Sequence, residues 1–369
     1  MPKHLIYLIT ALDAGGAQRA MLSLLPLILR SSYNVLIVCL FEGPGQIKSR
    51  LTMLGVPWLS LGMQSRVDLG AIGRLVTILK HNKTDVLITS LFHATIIGRI
   101  AGWIARVPHI ISWQHSAYLP PVRELCERIT AGMSKTILAD CAATRQYLTH
   151  TIRIPAHRVQ LVPIGAIDLS EFPYCGPRMD RSELNVGTVG MLYPAKGYLD
   201  LIHAIPRISR VFPNVRYLFA GDGPQRKELM RECQRYGLNE SVYFLGYLES
   251  VAPFLATLHL YVQPSRWEGF CISAIEAMAT GLPVVASKVG GLAETIAHEK
   301  TGLLVAPGRP HELADAIVEL LSAPDRARAM GRLGYEHITA RYTTDALERA
   351  FMPVLEPSEG GASGNIRGS

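Results

Sequence analysis

Residues 264–287 read PSRWEGFCISAIEAMATGLPVVAS, a pattern that predicts the end of a strand, a loop, a helix and a second strand. The loop turns at Gly269, and the helix begins near Cys271. Gly281 is expected to end this helix in the left-handed conformation, and Pro283 prevents its continuation. The short, fully apolar strand that follows is typical of a parallel sheet covered on both faces. This stretch therefore favours an α/β fold.

The same alternation of apolar runs with amphipathic segments continues through both halves of the chain. It predicts two doubly wound, Rossmann-like domains in series that face each other across a cleft. Because ligands of open α/β sheets bind at the carboxyl ends of the strands, the functional site is expected in this cleft. The predicted units are an N-terminal domain (1–168), a linker (169–184), a C-terminal domain (185–342), a helix returning to the first domain (343–356) and a disordered tail (357–369).

Each predicted element is a short segment of the chain. The predicted strands are 4–10, 34–40, 57–61, 85–90, 109–113, 186–190, 216–220, 242–245, 260–263, 284–286 and 302–305. The predicted helices are 18–29, 46–54, 68–81, 93–106, 123–133, 198–211, 225–236, 272–280 and 311–321.

The composition describes a globular protein of about two domains. Of the 369 residues, 49% are hydrophobic and 18% are charged, which excludes a mostly disordered chain and argues against a long coiled coil. No run approaches the ~20 apolar residues of a membrane helix. No secretory signal is predicted before the first strand, and the scattered cysteines are expected to be free thiols, so we expect a cytoplasmic protein.

Positive charge is concentrated in the first half of the chain. Residues 1–170 contain 17 Lys and Arg against 8 Asp and Glu, whereas residues 171–369 contain 20 against 22. The first domain is therefore expected to face an anionic partner, either a phosphate-bearing substrate or an anionic membrane surface. A solvated basic surface without a partner is the alternative. Nucleic acid is not predicted, because the cations are dispersed and no nucleic-acid-binding motif accompanies them.

The common nucleotide motifs are absent from the sequence. The glycine pairs near residues 15 and 221 do not complete a G-x-G-x-x-G motif, and no P-loop motif occurs. A dinucleotide oxidoreductase and a P-loop hydrolase are therefore not supported. No two aspartates are separated by one residue, so an Asp-x-Asp metal clamp for a nucleotide diphosphate is not predicted either.

Two carboxylates flank the start of the helix predicted after Gly269. The first turn of that helix presents unpaired N–H groups, which form an anion site. Glu268 lies just before the helix, and Glu276 is expected about two turns inside it. A bound diphosphate would then have one carboxylate on each side, and each carboxylate could accept hydrogen bonds from the hydroxyls of a sugar. A donor in which a diphosphate joins a sugar to a ribose requires this arrangement. The alternatives are a solvated loop acid for Glu268 and a helix-surface charge for Glu276, and the spacing alone recurs elsewhere in the chain.

The sequence resembles the retaining GT-B glycosyltransferases of family 4. The resemblance covers most of the chain and is specific over residues 185–310. It is carried by residues 264–287, followed by Gly290-Gly291 and residues 301–305, and by residues 189–197, residues 221–224 and residues 15–18.

The resemblance implies roles for residues on the C-terminal side of the cleft. Glu268 would bind hydroxyls of the transferred sugar, and Glu276 those of the ribose. Lys196 would neutralise the phosphate charge that develops as the nucleotide leaves, in place of a metal; an ordinary surface lysine is the alternative. The backbone N–H groups of three residues would hold the diphosphate, next to Gly269. These residues are Phe270, Cys271 and Ile272.

The resemblance also implies roles for the N-terminal domain and shows one departure. Gly15 and Gly16 would let the backbone approach the donor phosphates, with a plain strand-to-helix turn as the alternative. His115 would contact the donor sugar or the acceptor hydroxyl, unless it only packs at a strand end. The family usually has an arginine five residues before the lysine, where this chain has Met191. Arg266 is the candidate substitute for this second phosphate clamp.

The resemblance implies transfer of a hexose-type sugar from a nucleotide diphosphate sugar to a hydroxyl, with retention and without a metal or other cofactor. The acceptor is expected to be a glycan or lipid-linked precursor of polysaccharide or lipopolysaccharide, which would place the protein peripherally on the inner face of the membrane. Two alternatives stay open: a catalytically impaired nucleotide-sugar-binding module, and a sugar-nucleotide epimerase or hydrolase on the same scaffold. Membrane contact could involve four residues, although the tryptophans could instead pack in the core. These four are Arg99, Trp103, Arg106 and Trp113.

Overall fold

The computed structural model describes residues 2–13, 15–43, 46–65, 68–178 and 183–356. Part of the predicted linker and the whole predicted tail lie outside the described residues.

The first domain is a parallel seven-stranded sheet with the order β3-β2-β1-β4-β5-β6-β7. Its strands are buried because they are almost continuously apolar, as in Leu5 to Ile9 at the centre of the sheet. The strands are β1 (Lys3–Ala11), β2 (Tyr33–Phe41), β3 (Trp58–Ser60), β4 (Val86–Ser90), β5 (His109–Gln114), β6 (Thr136–Ala139) and β7 (Val159–Leu161). The helices are α1 (Gly16–Arg30), α2 (Gln46–Met53), α3 (Leu69–His81), α4 (Phe92–Ala105), α5 (Pro121–Thr130) and α6 (Ala142–Gln146).

The second domain is a parallel six-stranded sheet with the order β10-β9-β8-β11-β12-β13. The strands are β8 (Leu184–Val189), β9 (Val215–Ala220), β10 (Val242–Gly246), β11 (Leu260–Gln263), β12 (Val284–Ser287) and β13 (Leu303–Val305). The helices are α7 (Tyr198–Ser209), α8 (Arg226–Arg235), α9 (Ala252–Leu255), α10 (Ile272–Ala279), α11 (Leu292–Thr295), α12 (Pro310–Ser322), α13 (Pro324–Arg341) and α14 (Thr344–Leu355). Two parallel, doubly wound domains confirm the predicted fold class.

A single hydrophobic cluster crosses from one domain to the other. Gly165 brings the first domain so close to Phe270 and Ile275 that a side chain at this position would collide with both. Helix α14 follows the second domain in the chain but packs on the first, where Phe351 stacks on Trp113 with ring centroids 6.3 Å apart. The two domains therefore pack against each other at the start of α10, and α14 adds a second contact with the first domain.

Two residues suggested for membrane contact are buried, so the suggestion is wrong for them. Trp113 is 1% exposed and packs in the core, and Arg99 is fully buried in an ion pair with Glu127. Trp103 is exposed at the end of α4. Among the described helices, none combines the length and the apolar character needed to cross a bilayer.

Candidate active site

The N-terminus of α10 lies at the carboxyl edge of the second sheet and faces the first domain. Cys271 precedes the helix with φ +64°, a left-handed conformation that is strained for a residue with a side chain. Within the described parts of the chain, no backbone acceptor pairs with the N–H groups of Phe270, Cys271 or Ile272. Gly281 has φ +83° just after the helix, as predicted for its C-terminal end. This is the geometry that the predicted anion site requires, and binding of an anion here stays a prediction.

The loop before α10 is held between the two domains at Gly269. A Cβ at this position would collide with the carbonyl oxygen of His115 and lie 3.2 Å from Oδ2 of Asp140. On its other side, the carbonyl oxygen of Gly269 accepts a hydrogen bond of 2.6 Å from the N–H of Gly291. Only glycine fits at a point where two backbones approach this closely.

Lys196 and Glu268 meet beside this loop. The Lys196 Nζ donates to Oε2 of Glu268 over 2.6 Å, and the Ser265 hydroxyl donates to the same oxygen over 2.9 Å. Burial disfavours the charged ammonium, but the Glu268 carboxylate outweighs it, so the pKa of Lys196 lies above its usual value. The structure thus places the Lys196 ammonium, paired with the Glu268 carboxylate, next to the start of α10.

Glu276 lies within α10, past the helix start, and is buried, being 3% exposed. It stands little more than one turn into α10, which corrects the predicted two turns and excludes a helix-surface charge. Its Oε1 accepts a hydrogen bond from Arg19 of α1, across the cleft. Burial raises the pKa of Glu276, and the guanidinium of Arg19 opposes this rise. Oε2 is buried without a hydrogen-bond partner among the described residues. It can therefore accept a hydrogen bond from a hydroxyl group of a ligand.

Sequence analysis missed Arg19. The residue follows the glycine pair by three positions, and its partner is 257 residues away in the sequence. Gly15 caps α1 with an extended backbone, and a Cβ there would lie 2.6 Å from Oε1 of Gln18, whereas Gly16 faces open space. Neither position requires glycine, and Arg19 reaches the cleft from the first turn of the helix that follows them.

Arg266 and Met191 do not supply a free second cation for a phosphate. The guanidinium of Arg266 donates to both carboxylate oxygens of Asp200 on α7, over 3.0 and 2.9 Å. The guanidinium suggested as a second phosphate clamp is thus paired within its own domain. Met191, in the loop after β8, carries no charge.

His115 directs its ring into the first domain. Its Nε2 lies 2.8 Å from the hydroxyl of Ser90, and its Nδ1 lies 3.6 Å from Oδ2 of Asp140. The ring also stacks on Trp113, with centroids 5.4 Å apart. Sequence analysis missed Ser90 and Asp140, although each stands at the carboxyl end of a strand that neighbours the strand of His115. The carbonyl oxygen of His115, rather than its ring, approaches the loop at Gly269.

Glu294 of α11 joins the domains at a second place. Its carboxylate accepts hydrogen bonds from the N–H groups of Ala142 and Ala143 at the start of α6, over 2.8 and 2.7 Å. Together with the pair of Arg19 and Glu276, this contact links the two domains. Within the ranges that the structure describes, no three His, Cys, Asp or Glu side chains gather to hold a metal ion.

Two family models match the chain. Residues 15–165 match the glycosyl transferase 4-like domain, and residues 179–337 match the glycosyl transferases group 1. A GDP-mannose-dependent α-(1-6)-phosphatidylinositol monomannoside mannosyltransferase of Mycobacterium tuberculosis is 30% identical over 264 residues, which cover 67% of each protein. The glycogen synthase of the same species is 28% identical over 278 residues, which cover 73% of this chain but only 63% of that protein.

A solved structure has the same fold. The crystal structure of Anabaena HepE in complex with UDP and glucose superposes with a TM-score of 0.83 at 21% identity, covering 96% of this chain and 100% of the other. From the family models, the mannosyltransferase match and the two facing parallel sheets, the chain belongs to the group 1 glycosyltransferases of GT-B fold.

Proposed function

We propose that this protein is a retaining glycosyltransferase that moves a hexose-type sugar from a nucleotide diphosphate sugar to a hydroxyl acceptor. The observation that carries the proposal is the arrangement around the start of α10. Along the chain, the N–H groups at the helix start follow Glu268, which pairs with Lys196, and precede Glu276, whose Oε2 is buried without a partner among the described residues. This is the order in which a donor presents its sugar, diphosphate and ribose.

Each part of the site would act on a different part of the donor. Glu276 would accept hydrogen bonds from the ribose hydroxyls, and Glu268 would accept hydrogen bonds from hydroxyls of the transferred sugar. Lys196 and the helix N-terminus would stabilise the charge that grows on the diphosphate as the bond to the sugar breaks. With this cationic clamp, the departing phosphate can take the acceptor proton on the same face of the sugar, and the configuration is retained without a side-chain nucleophile. We therefore expect turnover without a metal or other cofactor.

The acceptor is proposed to be a lipid-linked or cell-surface glycan precursor bound by the first domain. Two observations support this: the positive balance of residues 1–170, and a mannosyltransferase relative whose name specifies a phosphatidylinositol mannoside. The proposed setting is polysaccharide or lipopolysaccharide assembly on the inner face of the membrane.

The test is release of nucleoside diphosphate from a panel of uridine, guanosine and adenosine diphosphate sugars, with EDTA present and a membrane extract as acceptor source. We expect release from one donor, and the anomeric configuration of the product, read by NMR, should match that of the donor. Release that requires an added divalent cation would contradict the metal-free mechanism, and an inverted product would contradict retention.

A catalytically impaired nucleotide-sugar-binding module is the second candidate. The observation that favours it is that Met191 has no charge and Arg266 is engaged by Asp200, which leaves Lys196 as the cation beside the anion site. Donor binding without release, even with extract, would support this candidate, and Met191→Arg should then restore turnover. An epimerase or hydrolase is less favoured, because the ring nitrogens of His115 face Ser90 and Asp140 and not the sugar site.

A further inference from the structure

Helix α5 exposes its apolar face to solvent. Val122, Leu125 and Ile129 are spaced so that they share one face of the helix, and they are 76%, 56% and 67% exposed. A helix on the surface of a globular domain normally turns such a face towards the core. The orientation of α5 is the reverse of this rule, so its apolar face is available to a partner.

Carboxylates of α5 point inward and hold this orientation. Glu127 is 1% exposed and pairs over 2.6 Å with Arg99 of α4, which is fully buried. Glu124 accepts a hydrogen bond of 2.9 Å from the hydroxyl of Tyr147. Burying an ion pair is costly unless both charges are matched. The fold thus places charges inside the domain and keeps the apolar residues of α5 outside.

The segment that contains α5 exposes cations and no acids. Residues 91–165 contain eight Lys and Arg and three Asp and Glu, and none of the three acids is exposed. The acids are Glu124, Glu127 and Asp140, of which the last lies buried beside His115. The exposed cations of this segment are Arg106, Arg128, Lys135, Arg145 and Arg153. On α5 itself Arg128 is the exposed charge, and both carboxylates of the helix point inward. An apolar face on a helix with this charge is complementary to an anionic lipid bilayer, whose headgroups attract cations and whose acyl boundary accepts apolar side chains.

We propose that α5 docks on an anionic lipid bilayer, with Val122, Leu125 and Ile129 inserted below the headgroups. The segment that carries His115 leads directly into α5, and in it Tyr118 lies against Trp267 of the second domain, with ring centroids 6.4 Å apart. The bilayer would then meet the protein beside the mouth of the cleft. The inference that docking brings the cleft close to a lipid-linked acceptor rests on the proposed function. The inference that α5 binds a bilayer does not depend on it.

Co-sedimentation of the full chain with phospholipid vesicles tests the proposal. We expect strong binding to phosphatidylcholine vesicles that contain phosphatidylglycerol and weak binding to phosphatidylcholine alone. A variant with Val122→Gln, Leu125→Gln and Ile129→Gln should bind the anionic vesicles at least about tenfold more weakly. The matched control carries Met53→Gln, Leu54→Gln and Leu69→Gln, three exposed apolar residues outside this segment, and should bind like the unmodified chain.

Several results would overturn the docking proposal. One is equal binding of anionic vesicles by the α5 variant and the unmodified chain, and another is no binding of the unmodified chain to these vesicles. A third is self-association of the chain without lipid that the α5 substitutions abolish, because a second copy would then cover this face. Thermal unfolding would show that the variant is folded. Its release of nucleoside diphosphate with a water-soluble acceptor should be unchanged, so failure of docking and failure of the proposed transfer are distinguishable.

Discussion

Replacing Lys196 with alanine is expected to lower kcat for sugar transfer by about a hundredfold to a thousandfold, the usual cost of removing one group that stabilises transition-state charge. The Nζ of Lys196 lies 2.6 Å from Glu268, beside the unpaired N–H groups of α10. Met191 is uncharged, Arg266 is paired with Asp200 and Arg19 is paired with Glu276, so neither arginine of the described site is free to compensate. KM for the donor should change far less than kcat, because charge accumulates on the diphosphate only as the bond to the sugar breaks.

The control for this experiment is Lys227→Ala, on the exposed surface of α8, which should leave kcat unchanged. Lys196→Arg should retain part of the activity, since the positive charge remains. If Lys196→Ala raises the Kd of the donor but leaves kcat intact, Lys196 only binds, and its proposed role in leaving-group stabilisation is wrong.

Replacing Glu276 with glutamine is expected to weaken binding of the nucleoside diphosphate about tenfold to a hundredfold, since hydrogen bonds to a charged group contribute about 1.5–3 kcal/mol. The carboxylate is buried, has one oxygen on Arg19 and has the other without a partner among the described residues. Its loss should therefore affect ribose recognition more than chemistry. At saturating donor, kcat should stay within a few-fold of the unmodified value.

Binding of a dideoxyribose analogue of the nucleotide, which lacks both ribose hydroxyls, tests whether Glu276 binds these hydroxyls. The unmodified protein should bind the analogue more weakly than the ribonucleotide, whereas the Glu276→Gln variant should bind both alike. Glu240→Gln, an exposed carboxylate on the same domain, is the matched control. If the variant still discriminates between the two sugars, Glu276 does not bind the ribose.

The sequence predicted the elements whose pattern is local. The stretch around Gly269 and Gly281 carries its own turn and cap residues, and the structure has α10 where they predict it. Strands β6 and β7, of four and three residues, were missed, although the equally short strands β3 and β13 were predicted. Helix α13 was missed because its Arg and Gly residues interrupt the apolar stripe.

The parts of the site that depend on distant partners could not be predicted in the same way. Glu268 and Glu276 were recognised from their place beside a helix start, but the contact of Glu276 with Arg19 joins residues 257 positions apart. Arg99 was predicted at the surface because of its neighbours in the sequence. In the structure it is buried, and its charge is paired with that of Glu127. Such pairings follow from how the sheets and helices pack, and local patterns do not encode them.

The central claim is that the start of α10 holds the diphosphate of a nucleotide sugar. The most direct measurement is a crystal structure of the chain soaked with UDP, GDP or ADP, whichever binds. The account predicts the diphosphate against the N–H groups of residues 270–272, with Lys196 beside it and the ribose hydroxyls on Glu276. Density for the nucleotide elsewhere, with the start of α10 unchanged, would contradict the claim.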